Sequence, residues 1–415
     1  MKLLDKGSFI RPVIVGQFGP PTLTCIRSWG EKGFPVGMVC IRSKREMIPT
    51  SKYLDDFTTL PQAKLYVCDG MQIISDFLKK FRASGITCVA ENIARWINDH
   101  RQMLPAEVAL WLPSNQAINA LISKQKQIEV ARKVGFKILP TYFVEKDLQT
   151  IHGIPQEHFP LCLRPTEPQT IIPAFKVQMV YSRGDLTQFV NKIDKIDKSI
   201  IAQPFMDLPN LVVHGARTTS GTSIGLQAFL VERKFETVTL SIRPTVLEKD
   251  LKEKCIEFTN HFDVIGNYHF EFLVDKKNGF IYFLELNNRL GGTTAKVFAC
   301  GYDEPLLILQ AYGVLPIRNQ QRNSTEGPST INQQASTILY RPLANITVSS
   351  KRALLKYLFY TIKNKLTPLD YPSESKLNRI IKTIYGFLKY RDDVFMLRDL
   401  RGSFALYFES LKNNL

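Results

Sequence analysis

The chain has 415 residues, of which 44% are apolar, and it carries a formal net charge of +16. This length predicts about two to four domains, because a single hydrophobic core rarely serves more than about 300 residues. The apolar fraction is ordinary for a globular protein, and no uninterrupted apolar run approaches the roughly 18 residues that a membrane span requires.

Short apolar strands alternate with helical patterns in the first third of the chain. Strands are predicted at 12–15, 36–41 and 88–90, with one helix ending at Trp29 and another covering 69–84. Such alternation indicates a small open parallel sheet with helices on its faces, as in a Rossmann-like domain.

A glycine turn at 16–20, which includes Gln17, follows the first strand. A helix N-terminus comes next, and that position can receive an anionic ligand. The glycine spacing does not match the dinucleotide-binding fingerprint. Two interpretations therefore stand, a plain tight turn and a substrate-binding loop that contains Gln17.

The number and spacing of the cysteines indicate the cellular compartment of the protein. Seven are scattered along the chain without a Cys-x-x-Cys pair, and most lie in apolar runs. Reduced core thiols are typical of the cytosol. The apolar stretch that ends at Gly16 is too short for a secretory signal. We therefore expect a cytoplasmic protein.

A second unit begins near Leu112. Ser114 can cap a helix predicted to run to Val134, Gly135 ends that helix, and residues 137–144 return as an extended segment.

The most informative segment is a predicted hairpin. Residues 268–274 and 280–286 are apolar runs separated by Asp-Lys-Lys-Asn-Gly, and the Asn-Gly step is typical of a hairpin turn. With a turn centred on Lys277, Glu271 would lie opposite Phe283 and diagonal to Glu285. Because side chains alternate with period two, Glu271, Glu285 and Asn287 are expected on one face.

This face predicts a cation site. Diagonal neighbours lie about 7 to 8 Å apart at the backbone, a spacing that carboxylate oxygens can bridge with one or two cations. Ligands that are all oxygen favour Mg²⁺ over zinc or copper. Without a cation, the two carboxylates would repel each other and raise each other's pKa. The alternative is a surface hairpin whose acids face water, and the strongly apolar flanks favour the metal site.

Two segments of the second unit resemble the ATP-grasp superfamily. Lys124, followed by a helix, Gly135 and Leu-Pro-Thr at 139–141, resembles the entry to an ATP-grasp domain. Residues 159–165, which include Arg164, are similar to the strand whose basic residue reaches the nucleotide phosphates.

Two later segments extend the likeness. Residues 200–206 resemble the hinge strand that packs along adenine, and residues 268–289 resemble the metal-binding strands. The resemblance spans residues 9–313. It is closest to the carboxylate–amine ligases, with an ATP-grasp unit similar to that of the carbamoyl-phosphate synthase large chain.

The resemblance implies an α/β ATP-grasp fold in four parts. They are a Rossmann-like domain at 1–113, an N-terminal lobe at 114–200, a C-terminal lobe with the metal site at 201–313, and a basic, mainly helical region at 314–415.

The resemblance also implies a set of site residues. Those expected to bind ATP are Lys124, Arg164, Lys176, Gln203, Pro204, Phe205 and Met206. Those expected to bind Mg²⁺ are Glu271, Glu285 and Asn287. Arg289, with Lys124 and Arg164, is expected to stabilise the transferring phosphoryl group.

Three basic residues, at positions 164, 233 and 234, differ from the family pattern or allow two interpretations. Arg164 stands where the family usually has lysine, which keeps the positive charge and changes its shape. Arg233 and Lys234 either face the triphosphate or form a solvated turn.

Gly291, Gly292 and Thr293 follow Arg289 at a position where the carboxylases have an acid-containing sequence. Backbone amides at a glycine pair can approach a developing acyl phosphate, so this difference favours an organic carboxylate over bicarbonate. His269 and His214 are interpreted as core histidines, with support of a metal ligand as the alternative.

The last quarter of the chain is basic. From 314 to 415 there are sixteen Lys and Arg against seven Asp and Glu, which supplies +9 of the formal charge. Such a surface attracts anionic partners, although no nucleic-acid motif accompanies the charge. Residues 319–334 are polar and predict a linker. Residues 351–365 predict either a capping helix with solvated lysines, which is favoured, or a helix that lies on an anionic membrane or polymer.

These observations predict an ATP-dependent ligase that uses Mg²⁺, activates a carboxylate as an acyl phosphate and joins it to an amine. Its partners would be two small molecules and, by the commonest default, a second copy of the chain. A competing interpretation is a degenerate nucleotide-binding scaffold that recruits an anionic partner through its basic tail. A third is phosphorylation or carboxylation without amide formation.

Overall fold

The computed structural model describes residues 10–43, 47–146, 148–317 and 345–412. The predicted linker at 319–334 lies outside these residues. Within the described ranges, no helix is both long enough and apolar enough to cross a bilayer.

A five-stranded parallel sheet forms the N-terminal part. Its strands are β1 Pro12–Gly16, β2 Gly37–Arg42, β3 Asp56–Pro61, β4 Gly85–Cys88 and β5 Ala109–Leu110, in the order β3-β2-β1-β4-β5. The accompanying helices are α1 Pro20–Glu31, α2 Cys68–Phe81 and α3 Glu91–Asp99. Val13 and Val15 face one hydrophobic core and Ile14 faces another, which is why β1 is apolar throughout. The predicted open parallel sheet is confirmed, whereas β3 and α3 were not predicted.

The helix predicted from Ser114 to Val134 is wrong, because two helices occupy this stretch. They are α4 Asn115–Leu121 and α5 Lys124–Lys133. Ser114 Oγ accepts a hydrogen bond from the Ala117 amide, and Ser123 Oγ accepts one from the Lys126 amide. Serine at position 123 therefore acts as a second N-cap and breaks the helix. As a result, Lys124 is the first residue of α5.

An antiparallel sheet of four strands follows. The elements between residues 142 and 204 are β6 Tyr142–Val144, α6 Leu148–His152, β7 Leu161–Pro165, β8 Ile171–Ile172, β9 Gln178–Val180, α7 Arg183–Asn191, β10 Lys195–Ile196 and β11 Ile200–Pro204. The sheet has the order β6-β11-β7-β9, and β8 pairs with β10 beside it. The predicted hinge strand and the predicted phosphate strand are thus adjacent as β11 and β7.

A seven-stranded sheet follows the four-stranded sheet along the chain. Its elements are β12 Asn210–Arg217, β13 Ser223–Phe235, β14 Val238–Thr245, α8 Lys249–His261, β15 Gly266–Asp275, β16 Phe280–Asn287, α9 Thr294–Ala299, α10 Glu304–Ala311, β17 Val348–Ser349 and β18 Arg391–Asp392. The strand order is β16-β15-β12-β13-β14-β17-β18. The last two strands come from the C-terminal region, which therefore covers one edge of this sheet.

Aromatic packing fixes the β15–β16 hairpin from one side. Phe270, Phe272 and Phe283 are buried against Phe136 and Phe258, and the rings of Phe136 and Phe283 stack with centroids 5.4 Å apart. Because side chains alternate along a strand, this packing turns the intervening polar residues to the opposite face.

The C-terminal region is mainly helical, with α11 Lys351–Ile362, α12 Lys376–Lys389 and α13 Leu400–Lys412. Leu354 and Tyr357 of α11 pack against Phe235 and Leu240 of the seven-stranded sheet. The N-terminal domain is held by a buried ion pair in which Arg27 Nε lies 2.8 Å from Asp399 Oδ2.

Candidate functional site

Glu271 and Glu285 lie directly opposite each other on β15 and β16. Near the turn, Asp275 pairs with Phe280 and Phe272 with Phe283, a register that would place Glu271 opposite Leu284. A bulge next to Glu271 makes Leu284 an extra residue and shifts the pairing by one. The predicted opposition of Glu271 to Phe283 is therefore wrong, because the turn is centred between Lys277 and Asn278, and the bulge then adds a further residue for which the sequence carries no signal.

The bulge also determines which face the acids share. Without it, Glu285 would point into the aromatic core on the other side of the sheet. With it, Glu271 and Glu285 occupy one face, and Asn287 follows on that face because it pairs with His269. The Asn287 carboxamide donates to Glu285 Oε1 at 3.3 Å.

The two carboxylates have opposite pKa shifts. Burial, together with the smaller effect of the negative charge of Glu285, raises the pKa of Glu271 to about 7. Burial alone would also raise the pKa of Glu285, but Lys124 and Arg164 outweigh it and hold this pKa below the usual value. The carboxylate pair thus has unbalanced negative charge at Glu271, which a cation would stabilise.

The oxygen atoms on this face suit one kind of metal ion. Among the residues that the structure describes, no group of three or more His, Cys, Asp and Glu side chains is placed to hold a metal. The available donors are the two carboxylates and the Asn287 carboxamide. Mg²⁺ is commonly bound by one or two carboxylates together with substrate phosphates and water, so this donor set fits Mg²⁺ acting with a phosphorylated ligand.

Cationic side chains surround the acid pair. Lys124 Nζ lies 3.9 Å from Glu285 Oε2, and Arg164 Nη1 lies 3.6 Å from the same oxygen. Burial lowers the pKa of Lys124, and Glu285 opposes this shift. These two positive charges exceed the charge of the one carboxylate they contact, so they remain available to an anionic ligand.

A cavity of about 590 Å³ opens between the four-stranded and seven-stranded sheets. Its lining includes all the residues predicted to bind ATP, which are Lys124, Arg164, Lys176, Gln203, Pro204, Phe205 and Met206. Glu271, Glu285 and Arg289 line it as well. The volume is within the range of small-molecule sites.

Gln203 holds Arg164 in place. Its Oε1 accepts a hydrogen bond from Arg164 Nη2 at 2.9 Å, and its Nε2 donates to Thr141 Oγ1 at 2.9 Å. Both ends of the carboxamide are therefore engaged within the protein. Immediately after this strand, the Phe205 amide donates to the Pro160 carbonyl, so the backbone there is also anchored.

Lys234 is a further cation in the cavity, and Arg233 is not. Lys234 Nζ donates to Asn210 Oδ1 at 2.8 Å, and burial lowers its pKa. Arg233 Nη2 instead lies 2.6 Å from Glu374 of the C-terminal region. Neither residue forms the solvated turn that was one alternative, because both lie inside β13. The sequence left this choice open.

Arg289 contacts an acid from another domain. Its Nε lies 3.3 Å from Oε2 of Glu91, the first residue of α3, and its Nη2 lies 3.4 Å from Asn287 Oδ1. Sequence reasoning missed Glu91, whose only signal was an acidic residue immediately after the third predicted strand. The pair connects the N-terminal domain to the metal face.

The glycine loop after Arg289 packs on a buried histidine. A Cβ atom at Gly291 would lie 2.6 Å from the His269 ring, whereas one at Gly292 would meet nothing within 4 Å. His269 Nδ1 lies 3.3 Å from the Arg289 carbonyl oxygen, and burial lowers the pKa of His269 to about 3. His269 is therefore a neutral core side chain that supports the loop.

Thr293 faces a buried polar network. Its Oγ1 lies 3.0 Å from His214 Nε2, and His214 Nδ1 lies 3.1 Å from Glu304 Oε1. Glu304 Oε2 accepts a hydrogen bond from Thr294 Oγ1 at 2.6 Å. The hydroxyl of Thr293 is thus engaged within this network. Gly291, Gly292 and Thr293 are not part of the cavity lining, and their predicted substrate role stays a prediction.

Gln17 lies in the turn after β1, with an exposed side chain that is not part of the cavity lining. Its carbonyl oxygen accepts a hydrogen bond from Thr22 Oγ1 at 2.9 Å. This contact closes the turn, and the predicted substrate role of Gln17 stays a prediction.

Comparison with known families gives a partial match. A model described as the carbamoyl-phosphate synthase L chain, ATP binding domain, matches residues 242–303, which contain the hairpin and the glycine loop. No curated protein sequence matches the chain.

Solved structures match over most of the chain. The beta-gamma-ATP complex of biotin carboxylase from Campylobacter jejuni has a TM-score of 0.58 at 17% identity, and the match covers 75% of this chain and 72% of that one. The biotin carboxylase domain dimer of Hydrogenobacter thermophilus 2-oxoglutarate carboxylase, with MgADP, ADP and bicarbonate, has a TM-score of 0.58 at 16% identity, covering 76% and 72%. The L-amino acid ligase of Bacillus licheniformis has a TM-score of 0.54 at 15% identity, covering 73% and 74%.

At these identities the likeness establishes the fold. The chain has an α/β ATP-grasp fold, with a Rossmann-like domain before the two lobes and a helical region after them, which confirms the fold predicted from the sequence.

Proposed function

We propose that this protein, which has the ATP-grasp fold, is an ATP-dependent ligase that joins a carboxylate to an amine and releases ADP and phosphate. One observation carries the proposal. Glu271 and Glu285 are paired on adjacent strands and line the cavity. The same cavity is lined by the cations of Lys124, Arg164, Lys234 and Arg289. Paired acids among an excess of cations suit a polyphosphate that arrives with Mg²⁺.

ATP and Mg²⁺ are part of this proposal. Glu271, Glu285 and Asn287 would hold the ion, whose charge would offset that of the β- and γ-phosphates. The structural neighbours support the assignment, because they include a beta-gamma-ATP complex and a complex with MgADP. Phe205 and Met206, beside the anchored strand β11, are the proposed adenine contacts.

The chemistry follows from the poor reactivity of a carboxylate. A carboxylate oxygen attacks the γ-phosphorus of ATP, the bond from that phosphorus to the bridging oxygen breaks, and ADP leaves. The resulting acyl phosphate has a good leaving group. An amine nitrogen then attacks the acyl carbon, phosphate departs, and the nitrogen loses a proton to form the amide.

The protein's own residues would act mainly by position and charge. Arg164, fixed by Gln203, and Lys124, fixed at the start of α5, would hold the phosphates in line. Arg289 is oriented by Glu91 and Asn287, so its guanidinium would meet the transferring phosphoryl group from the opposite side. Lys176 lies at the exposed rim of the cavity and would contact the phosphates on closure.

The acid substrate is proposed to be organic. Gly291 lies against the His269 ring with no room for a side chain, and space is open at Gly292. Gly292 is exposed, so its backbone amide would be open to an acyl group, whereas Gly291 and Thr293 are buried. The structural neighbours include both biotin carboxylases and an L-amino acid ligase, so this part of the proposal rests on the glycine loop.

Domain limits, location and assembly belong to the same proposal. We propose the four-part division at 1–113, 114–200, 201–313 and 314–415. We also propose a cytoplasmic location, which is supported by seven cysteines that form no disulfide. A homodimer is supported by the dimer named for the Hydrogenobacter domain.

A substrate screen tests the proposal. The protein is incubated with ATP, Mg²⁺, pooled carboxylic acids and hydroxylamine, and both ADP and hydroxamate are measured. We expect both products, and we expect neither from Glu285→Gln. Glu232→Gln is the matched control, because Glu232 pairs with Arg243 at the surface and should leave both products unchanged.

Two outcomes would replace the proposal. ADP release that requires bicarbonate and gives no hydroxamate would indicate carboxylation. No ADP release in any mixture, with every binding property retained by Glu285→Gln, would indicate a scaffold. The scaffold has one specific observation in its favour, which is arginine rather than lysine at position 164.

A further inference from the structure

Helix α12 packs with its polar side inward. Arg379, Thr383 and Gly386 are its buried residues. The Arg379 guanidinium donates to the Glu374 carbonyl at 3.1 Å and lies 3.5 Å from the Tyr357 hydroxyl. A Cβ at Gly386 would lie 3.0 Å from the Tyr390 ring, so glycine allows this side to approach the protein closely.

The outward side of α12 is apolar. Its exposed large residues are Leu377, Ile381, Ile384, Tyr385 and Leu388, with exposed fractions from 46% to 72%. Their spacing of four, three, one and three residues places them on a single stripe, opposite the buried residues. Surface helices of globular proteins normally have the reverse arrangement, with the apolar stripe facing the core.

The apolar exposure is concentrated in the C-terminal region. Among the described residues, thirteen of the 22 exposed large apolar side chains lie between Leu355 and Phe408. Leu355, Phe359 and Ile362 form a second exposed stripe on α11, the helix against which α12 packs. Scattered exposed apolar residues are ordinary, whereas a cluster of this kind marks an interaction surface.

The charge of the same region identifies the partner. Within 351–409, eight exposed residues are cationic and no exposed residue is acidic. The exposed cations are Lys363, Lys365, Lys376, Lys382, Lys389, Arg391, Arg398 and Arg401. The acids are held inside, as Asp393 is by Lys296 and Asp399 by Arg27, or paired, as Glu374 is with Arg233.

We propose that the exposed faces of α12 and α11 dock on an anionic lipid surface. Aliphatic and aromatic side chains flanked by lysines are the pattern of helices that lie in the plane of a bilayer interface. A second copy of this face would bring the same positive charge and be repelled, and a nucleic acid would gain nothing from an aliphatic stripe. This inference does not depend on the proposed ligase activity.

Sedimentation with vesicles tests the inference on the full chain. Vesicles of phosphatidylcholine alone are compared with vesicles that also contain phosphatidylglycerol. We expect binding to the anionic vesicles only, and weaker binding at high salt. A triple variant, Leu377→Ser with Ile381→Ser and Leu388→Ser, should bind at least about tenfold more weakly because buried apolar area is lost.

Matched control variants distinguish binding through the α11–α12 face from a general effect of changing the protein surface. Val238→Ser, Val246→Ser and Ile48→Ser remove exposed apolar side chains elsewhere and should bind as the unmodified protein does. Lys363→Gln and Lys389→Gln should each weaken binding about fivefold. Lys249→Gln and Lys252→Gln, on α8, are the corresponding charge controls.

Three outcomes would overturn the inference. The first is the absence of sedimentation with both vesicle types. The second is anionic binding that the triple variant retains in full. The third is concentration-dependent dimerisation that the triple variant abolishes without any vesicle binding, which would assign the face to a second copy of the chain.

Discussion

Glu271 lies directly opposite Glu285, and the bulged residue Leu284 is the reason that both acids occupy one face of the hairpin. If the register near the turn continued without the bulge, Glu285 would be buried among phenylalanine rings. A single extra residue therefore decides whether Glu285 joins Glu271 in a cation site or is buried in the aromatic core.

Replacing Glu285 with glutamine should impair the response to metal and nucleotide. A carboxamide keeps the shape of the side chain and removes the charge that balances Mg²⁺, so we expect turnover to fall by about a hundredfold or more. The gain in Tm on adding MgADP should shrink as well. Glu232→Gln should keep the full gain in Tm. An unchanged gain for Glu285→Gln would remove Glu285 from the metal site.

Substitutions at the adjacent β13 residues Lys234 and Arg233 should affect different properties, nucleotide affinity in the first case and thermal stability in the second. Lys234→Gln removes a cation from the cavity and should weaken nucleotide binding by about tenfold or more, since hydrogen bonds to charged groups contribute about 1.5 to 3 kcal/mol. Arg233→Gln breaks the pair with Glu374 and should lower Tm with little effect on affinity. Calorimetric titration with ADP and thermal unfolding measure both. Equal nucleotide affinities for the two variants would contradict this assignment.

The Glu91–Arg289 contact should affect the chemical step more than binding. With Glu91→Gln, Arg289 loses its ionic partner across the domain boundary, and a displaced guanidinium should lower kcat on the order of tenfold. KM for ATP should change little, because the other cations are intact. Steady-state kinetics of ADP release measures kcat and KM for ATP separately, and Glu107→Gln, at an exposed position, is the control. A change confined to KM would instead place Glu91 in nucleotide binding.

Neighbouring glycines in the 291–292 loop provide a matched pair. Gly291→Ala places a methyl group 2.6 Å from the His269 ring, so the loop or the ring must shift, at a cost of about 1 to 3 kcal/mol in unfolding free energy. Gly292→Ala meets nothing and should leave Tm unchanged. Hydroxamate formation should fall only in Gly291→Ala. Identical behaviour of the two variants would show that the loop does not depend on His269.

The buried Arg27–Asp399 pair should make stability depend on pH. Burial alone would raise the pKa of Asp399, but hydrogen bonds from the Lys52 amide and Arg27 hold it below the usual value. A depressed native pKa stabilises the fold fully above the unfolded pKa of about 4, and this stability is lost as pH falls through the native value. Asp399→Asn should lower the unfolding free energy by about 3 to 5 kcal/mol at neutral pH and flatten this acid dependence.

Asp263→Asn is the control for this prediction. Asp263 pairs with Arg217 at 2.8 Å, but its side chain is 75% exposed, so the expected loss is only about 0 to 1 kcal/mol. Denaturant unfolding at several pH values compares the two variants. A loss at Asp399 as small as that at Asp263 would contradict a stabilising role for the buried pair.

Local patterns in the sequence predicted much of this fold. Continuous apolar runs such as the one at 12–15 indicated buried parallel strands, because a strand covered on both faces has no polar positions. The Asn-Gly step indicated the hairpin, because that turn requires residues tolerant of positive φ, and Gly279 has φ of 73°. The spacing of Glu285 and Asn287 on the second strand, with Glu271 on the first, indicated one polar face on the hairpin.

Contacts distant in sequence had no such signal. Glu91 and Arg289 are 198 residues apart, and nothing local to either one indicates the other. The choice between Arg233 and Lys234 depends on register shifts between β13 and β14 at these positions. The strands β17 and β18 are two residues each and form only because the edge of β14 is present to pair with them.

The sequence by itself determined a hairpin with an acid on each strand, because turn chemistry and period-two alternation are local properties. It also showed acids, cations and hinge residues in an order that resembles an ATP-grasp chain. Only the tertiary structure decided that Glu271 faces Glu285, that Gln203 is occupied in holding Arg164, and that α12 turns its apolar stripe outward. The first depends on one residue of register in the hairpin, and the other two depend on packing between separate segments of the chain.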